Sequence, residues 1–192
     1  METQSLAEKF LALGHETADT LRDADVVVVN SCSVTEYADR DTFNFIKKTV
    51  ASNPKARLVV TGCIATLNPK KILELAPGAA VFPNAAKEKI PYQLAGLPPK
   101  EDFFSVGGFS GRTRAFIKIQ DGCSLGCAYC IVPSARSEMK SKTVAAALTE
   151  IKKLIDAGFK EIVLCGTRLG MYKCSETGKD LTAFMRDIFE LP

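Results

Sequence analysis

The sequence lacks any apolar run approaching the roughly 18 consecutive residues that a membrane-spanning helix needs. Its start, Met1-Glu2-Thr3-Gln4, lacks the basic and apolar regions of a secretory signal. Both absences point to a chain that works in the cytoplasm. Charge of one sign is also missing: 25 Lys and Arg stand against 22 Asp and Glu, a net +3. That balance permits contact with nucleic acid without calling for it. Histidine is almost absent. The single one, His15, follows Gly14 at an expected helix end, where a cap or surface role suits it better than catalysis. With 46% apolar and 24% charged residues the composition is that of an ordinary globular chain, which excludes a disordered tail, a collagen-like repeat and a small disulfide scaffold. What the chain does have is cysteine, seven in 192 residues. In a reducing compartment that number calls for a metal or redox role more than for disulfides.

Hydrophobic spacing divides the chain in two. In the first part, Leu6, Phe10 and Leu13 recur at helical spacing and end at Gly14. A β-branched run, Asp25–Asn30, then reads as a strand buried on both faces of a parallel sheet. Ser33 with Glu36 three residues on is a capping-box signature, and Ala38, Thr42, Phe45, Ile46 and Val50 form the stripe of the helix that follows. Further strands are expected at Arg57–Gly62 and around Ala80–Phe82, with a helix near Pro69–Leu75. Residues 98–113, rich in Gly and Pro, read as a linker between a domain at 1–97 and another at 114–192. Beyond it come a strand at Ala115–Ile119 and a cysteine-rich loop. A helix carrying Val144, Leu148, Ile151 and Ile155 follows and stops at Gly158. Another strand, Glu161–Cys165, leads to a helix with Leu181, Phe184, Met185 and Ile188. The β-α-β-α order implies parallel strands. The fold class is therefore α/β, with a small parallel-sheet domain first; if the second part is the beginning of an α/β barrel, only its first two strands are here, since a complete barrel takes about 250 residues.

Cys123-Ser-Leu-Gly-Cys127-Ala-Tyr-Cys130 is the sharpest motif. Three thiolates within eight residues, flanked by Gly122 and Gly126, can curl round one inorganic centre, and thiolates are the ligands that iron–sulfur clusters and zinc prefer. Structural zinc normally takes four ligands from paired two-residue spacings. Here a three-residue gap precedes a two-residue gap with no fourth Cys or His nearby. Three ligands on a four-iron cluster would leave one iron open for a small molecule. The alternative is three buried thiols in a glycine-rich turn. Cys32 and Cys63 form a second pair, each just beyond the carboxyl end of an expected parallel strand, where open α/β sheets place their ligand crevice. Each taken alone is more often a small buried hydrophobe. Cys165, in an apolar strand, and Cys174, in a polar loop, read as non-ligands. Arg136, Lys140 and Lys142 are either a solvated basic stretch or phosphate contacts to RNA or a cofactor.

At the cysteine loop, with Tyr129 before the last Cys, the chain resembles the radical S-adenosylmethionine enzymes. Asn30-Ser31-Cys32-Ser33-Val34-Thr35, Val60-Thr61-Gly62-Cys63 and Ile119-Gln120-Asp121-Gly122-Cys123 look like successive motifs of the methylthiotransferases among them. Pro133-Ser134-Ala135-Arg136 and the Ile-Gln-Asp-Gly lead-in look most like the branch that modifies threonylcarbamoyladenosine 37 of tRNA. The isopentenyladenosine and ribosomal-protein branches are the alternatives. The resemblance implies two [4Fe–4S] clusters. Cys123, Cys127 and Cys130 would hold the one that binds and cleaves S-adenosylmethionine. Cys32 and Cys63 would help to hold an auxiliary cluster that delivers sulfur. The resulting 5′-deoxyadenosyl radical would remove hydrogen from adenosine C2, and a second S-adenosylmethionine would supply the methyl group. Tyr129 and Gly166 are the implied S-adenosylmethionine contacts. The implied partners are a tRNA anticodon loop and an electron donor such as flavodoxin or ferredoxin.

The pattern departs from the family in three ways. The family's third auxiliary-cluster Cys lies upstream of where Met1 falls, its Arg-Gly after the loop reads Arg136-Ser137, and its next arginines read Lys140 and Lys142. The resemblance thus implies a chain truncated at both ends, without most of the barrel or a C-terminal RNA-binding domain, and one that does not complete methylthiolation as given. Two other readings stand beside the enzyme: a non-catalytic, truncated iron–sulfur-binding paralogue, and a zinc-binding RNA module.

Overall fold

Three strands in the first half of the chain pair in parallel in the order β1-β2-β3: β1 (Val26–Ser31), β2 (Arg57–Gly62) and β3 (Ala80–Pro83). The computed structural model describes residues 1–99, 103–108 and 113–191. β2 is central and buried from Leu58 to Gly62. β1 alternates instead, with Val27, Val29 and Ser31 buried and the intervening residues half-buried, so its second face is not covered as its apolar run suggests. The helices of this half are α1 (Glu2–Ala12), α2 (Glu36–Ser52), α3 (Cys63–Leu67), α4 (Pro69–Leu75) and α5 (Ile90–Leu94), with a 3₁₀ turn at Asn84–Lys89. Ile46, Ile64 and Ile72 from α2, α3 and α4 close with Val27, Leu58 and Val60 over one side of the sheet. Burying each such side chain contributes about 1.5–3 kcal/mol.

The start of α2 differs from its sequence reading. The N-cap is Thr35, in extended backbone, whose hydroxyl accepts from Ala38 N at 3.2 Å. Ser33 lies two residues too early, and Glu36 becomes the first helical residue. The β-branched Thr35 suits the extended conformation that a cap requires. This start turns Thr42, Ile46 and Thr49 inward and leaves Phe45 and Val50 exposed. α1 ends as its sequence suggests: Gly14 takes φ 86° and His15 N donates to Phe10 O at 3.1 Å, its exposed ring edge-on to that of Phe10.

The second half holds a sheet in the order β5-β4-β6, from β4 (Arg114–Asp121), β5 (Lys140–Ser141) and β6 (Glu161–Gly166). β4 and β6 are parallel. The expectation of parallel strands holds for this pair, while β5, which the sequence reading did not name, pairs antiparallel with the end of β4, Gln120 opposite Ser141. A two-residue strand is too short to leave an alternation in the sequence. α6 (Val132–Ala135), α7 (Val144–Asp156) and α8 (Leu181–Phe189) complete the helices, with a 3₁₀ turn at Leu169–Met171. Ile117, Ile119, Ile151, Leu154, Tyr172 and Phe184 form the core of this half.

The chain resolves into two compact units. One takes residues 9–99 and 126–136; the other takes 1–8, 103–108, 113–125 and 137–191. Of the linker read at 98–113, residues 100–102 and 109–112 lie outside the described residues. In 103–108, Phe104 and Val106 are buried. Lys142 Nζ donates to Phe104 O at 2.7 Å and pairs with the Glu150 carboxylate, which also accepts from Val106 N at 2.8 Å. From α1, the Glu2 carboxylate pairs with buried Lys118, and Glu8 accepts from Gly107 N at 2.7 Å. Among the described residues no helix is long and apolar enough to cross a membrane.

Candidate functional site

β1 and β2 run in register to their carboxyl ends, with Ser31 opposite Gly62. Cys32 and Cys63 therefore each follow one member of the last strand pair, on the edge where parallel sheets receive ligands. Cys32 is exposed; Cys63, only 5% exposed, is the first residue of α3. The corner between β2 and α3 is tightly specified. Gly62 takes φ 96°, and a Cβ there would lie 2.2 Å from Ser31 O, so only glycine fits. The buried Ser31 hydroxyl donates to Thr61 O at 2.6 Å and accepts from Ile64 N at 3.2 Å. One side chain thus bonds the chain on both sides of Gly62-Cys63. Thr66 Oγ1 donates to Gly62 O at 3.2 Å and accepts from Asn84 N at 2.8 Å, joining α3 to the turn after β3. Near this same edge, the buried atoms Thr61 Oγ1 and Asn84 Oδ1 have no hydrogen-bond partner among the described residues.

Cys123 leaves the carboxyl end of β4 by a similar move. Gly122 takes φ 80°, and its N–H donates to Thr167 Oγ1 at 3.3 Å. The Thr167 hydroxyl in turn donates to Asp121 Oδ1 at 2.9 Å. Buried Gln120 is the hub here. Its Nε2 donates to Asp121 O at 2.9 Å and Gly122 O at 2.8 Å, while its Oε1 accepts from Arg168 N at 2.7 Å. The stem of the cysteine loop and the loop after β6 are held by one amide. Gly166, implied as a cofactor contact, packs against this hub: a Cβ would lie 3.0 Å from both Gln120 Cβ and Leu169 Cδ2.

Cys127 and Cys130 belong to the unit of the first sheet. Cys130 N donates to Cys127 O at 3.0 Å, closing a turn; Cys127 is exposed, Cys130 half-buried and Tyr129 94% exposed. The chain then enters α6, which packs against α3, the helix that Cys63 begins. Among the described residues no group of three or more His, Cys, Asp or Glu is gathered to hold a metal ion, and the loop thiols are divided between the two units, Cys123 in one and Cys127 and Cys130 in the other. Their donor chemistry nevertheless suits an iron–sulfur cluster: all are free thiols, on a segment with little regular structure between β4 and α6.

Two residues, Lys142 and Cys174, sit otherwise than the sequence suggests, while Lys140 is solvated, one of its two readings. Lys142 is 2% exposed and bound to Glu150 and Phe104 O, so it is not available to an RNA phosphate. Lys140 pairs on the surface with Glu138 at 3.0 Å. Cys174, read in a polar loop, is buried in the core beside Tyr172 and Phe184. Burial raises the Cys174 thiol, but hydrogen bonds from the Thr177 hydroxyl and from the backbone of Val144, Thr177 and Glu176 lower it below the ordinary value. Burial pushes the half-buried Cys165 thiol up. Ser31 and Gln120 entered the sequence reading only as motif members, without a role, and Thr167 escaped it. Their signal was a polar residue closing an apolar strand or opening the next loop.

The profile of the uncharacterized protein family UPF0004 matches residues 1–83. A threonylcarbamoyladenosine tRNA methylthiotransferase of Chlamydia pneumoniae is 29% identical over all of this chain and 45% of its own length. The protein of the same name from Bacillus subtilis is 32% identical over 89% of this chain and 41% of its own. A ribosomal protein uS12 methylthiotransferase of Roseiflexus castenholzii is 34% identical over 94% of this chain and 45% of its own. The chain thus spans less than half the length of these relatives.

Proposed function

We propose that this chain, which belongs with the methylthiotransferases by its likeness to them over most of its length, serves methylthio transfer to C2 of threonylcarbamoyladenosine 37 in tRNA. The observation that carries the reading is Cys123-x₃-Cys127-x₂-Cys130, three free thiols and no fourth, following directly on a β4 end whose stem is fixed by Gln120. These three would hold a [4Fe–4S] cluster that binds S-adenosylmethionine, and Cys32 and Cys63 would hold part of an auxiliary one. When bound, the first cluster supplies the electron that starts radical chemistry at the substrate carbon; the protein's share is to hold cofactor and substrate and to exclude water. Tyr129 and Gly166 are the proposed S-adenosylmethionine contacts. A tRNA anticodon loop and a flavodoxin or ferredoxin are the proposed partners.

Anaerobic reconstitution tests the metal. The expected result is iron uptake with broad visible absorption, lost when Cys123, Cys127 and Cys130 are all changed to Ala. Stoichiometric zinc without iron would remove the reading. The uS12-modifying relative at 34% identity favours a second substrate, a ribosomal-protein side chain. Mass spectrometry of nucleosides from tRNA and of peptides from ribosomal protein, each incubated with reconstituted protein, reductant and S-adenosylmethionine, separates the two. In a chimera that supplies the rest of a relative's length, the threonylcarbamoyl reading expects a Cys123-dependent methylthio-adenosine peak and unmodified peptides; the 192 residues by themselves are expected to give neither product.

A further inference from the structure

We infer that Ser31 is a positioning residue for the Cys32–Cys63 pair, fixing the two thiols relative to one another before any ligand arrives. The inference rests on the reading of these cysteines as ligands of one centre. Three observations carry it. The Ser31 hydroxyl bonds Thr61 O and Ile64 N, the residues on either side of Gly62-Cys63, so the corner bearing one thiol is held by the residue directly preceding the other. The register sets Ser31 opposite Gly62, and the contact is so close that no Cβ fits between them. Finally, Ser31 is buried, so water does not compete for its hydroxyl.

The clasp is local to one side chain. Without the hydroxyl, Thr61 O and Ile64 N lose a buried partner, and the start of α3 is released from β1. The alternative role is stability alone: a buried hydroxyl whose loss lowers the melting point without altering what the folded thiols bind. The two roles differ in what a folded variant does with a soft metal ion.

The test uses the full chain with Cys123, Cys127 and Cys130 changed to Ala, titrated with cadmium ion alone and read by thiolate-to-metal charge-transfer absorption. The background chain is expected to bind one cadmium through Cys32 and Cys63. Ser31→Ala should weaken that binding roughly tenfold, the factor that losing two ordinary hydrogen bonds gives, and Ser31→Thr, which keeps a hydroxyl, should restore most of it. In the same variants, Cys63 should react faster with a thiol alkylating agent in Ser31→Ala than in Ser31→Thr. A background chain that binds no cadmium through Cys32 and Cys63 removes the shared-centre reading, and the inference with it. A background chain that binds, with Ser31→Ala binding equally well while melting lower, overturns only the positioning role. Should Ser31→Ala not fold, hydrogen exchange of the Ile64 amide in the unaltered chain decides: protection beyond that of the Cys63 amide is expected, and free exchange overturns the clasp.

Discussion

At the end of β2 and again at the end of β4 the chain makes the same step, a glycine with positive φ followed by a cysteine, yet the two corners are secured by different means. At Gly62 the neighbouring strand presses on the backbone, a hydroxyl brackets the turn and a helix begins at the cysteine itself. At Gly122 an amide holds the stem from inside the sheet, a threonine from the loop after β6 receives the glycine N–H, and the cysteine opens a segment without regular structure. A thiol at a clasped helix start is ordered by the fold. A thiol beyond an anchored stem is ordered only at its root, and the rest of its loop is left for a ligand to arrange. The comparison teaches that one sequence step can build either a finished ligand position or the anchor of an unfinished one.

The units around these corners differ in a related way, and four substitutions probe that difference. The largest effect is expected where the second unit relies on charge. Lys142→Met leaves the Glu150 carboxylate buried without its cation and should cost about 3–5 kcal/mol. Denaturant unfolding measures it, and a loss below about 1 kcal/mol would show that the pair is replaceable by an apolar contact. Next comes the glycine pair. Gly122→Ala meets the left-handed backbone penalty, about 1–2 kcal/mol. Gly62→Ala adds a collision with the Ser31 backbone and should cost about 3 kcal/mol in total. Equal losses at the two glycines would break the contrast between the corners.

The smallest effect is a pH limb. Tyr172 donates to Lys142 O at 2.9 Å, and burial, with the negative charges of Cys174 and Asp187 adding to it, pushes its phenol up to about 12. The folded state binds the phenolic proton more tightly than the unfolded chain does. Stability from this group is therefore fully present below pH 10 and is lost as pH rises toward about 12. The loss is on the order of 2 kcal/mol. Tyr172→Phe should flatten that limb in thermal melts taken across the range, and an unchanged limb would assign it to other groups.

Much of the scaffold was legible because its segments bury themselves through their own side chains. Val26–Val29 and Leu58–Val60 are β-branched or apolar runs of strand length, and Val144, Leu148 and Ile151 repeat at helical spacing, although Ile155, read on the same stripe, is exposed and Leu154 is buried in its place. Elements made by distant partners were not legible. α3 went unread because Cys-Ile-Ala-Thr-Leu has no cap of its own; its start is set by Gly62 and a hydroxyl from another strand. β5 exists through two residues paired to the end of β4. Lys142 looked solvated because its neighbours are polar, and its carboxylate partner lies a turn and more into the following helix. The positions of Cys32 and Cys63 at strand ends followed from the two apolar runs, while the bracket around Cys63 depends on register, which no single segment encodes.

The Glu2–Lys118 ion pair joins residues 116 positions apart, and this separation governs the order in which the chain can fold as it is made. By the time Pro83 has left the ribosome, every strand of the β1-β2-β3 sheet is available for pairing. Glu2, made long before β4, must wait for it to meet the Lys118 cation. At ordinary translation speeds that delay is on the order of ten seconds. A nascent chain stalled after β3 has emerged and before β4 has should therefore carry one formed sheet, with the first turn of α1 still waiting for β4.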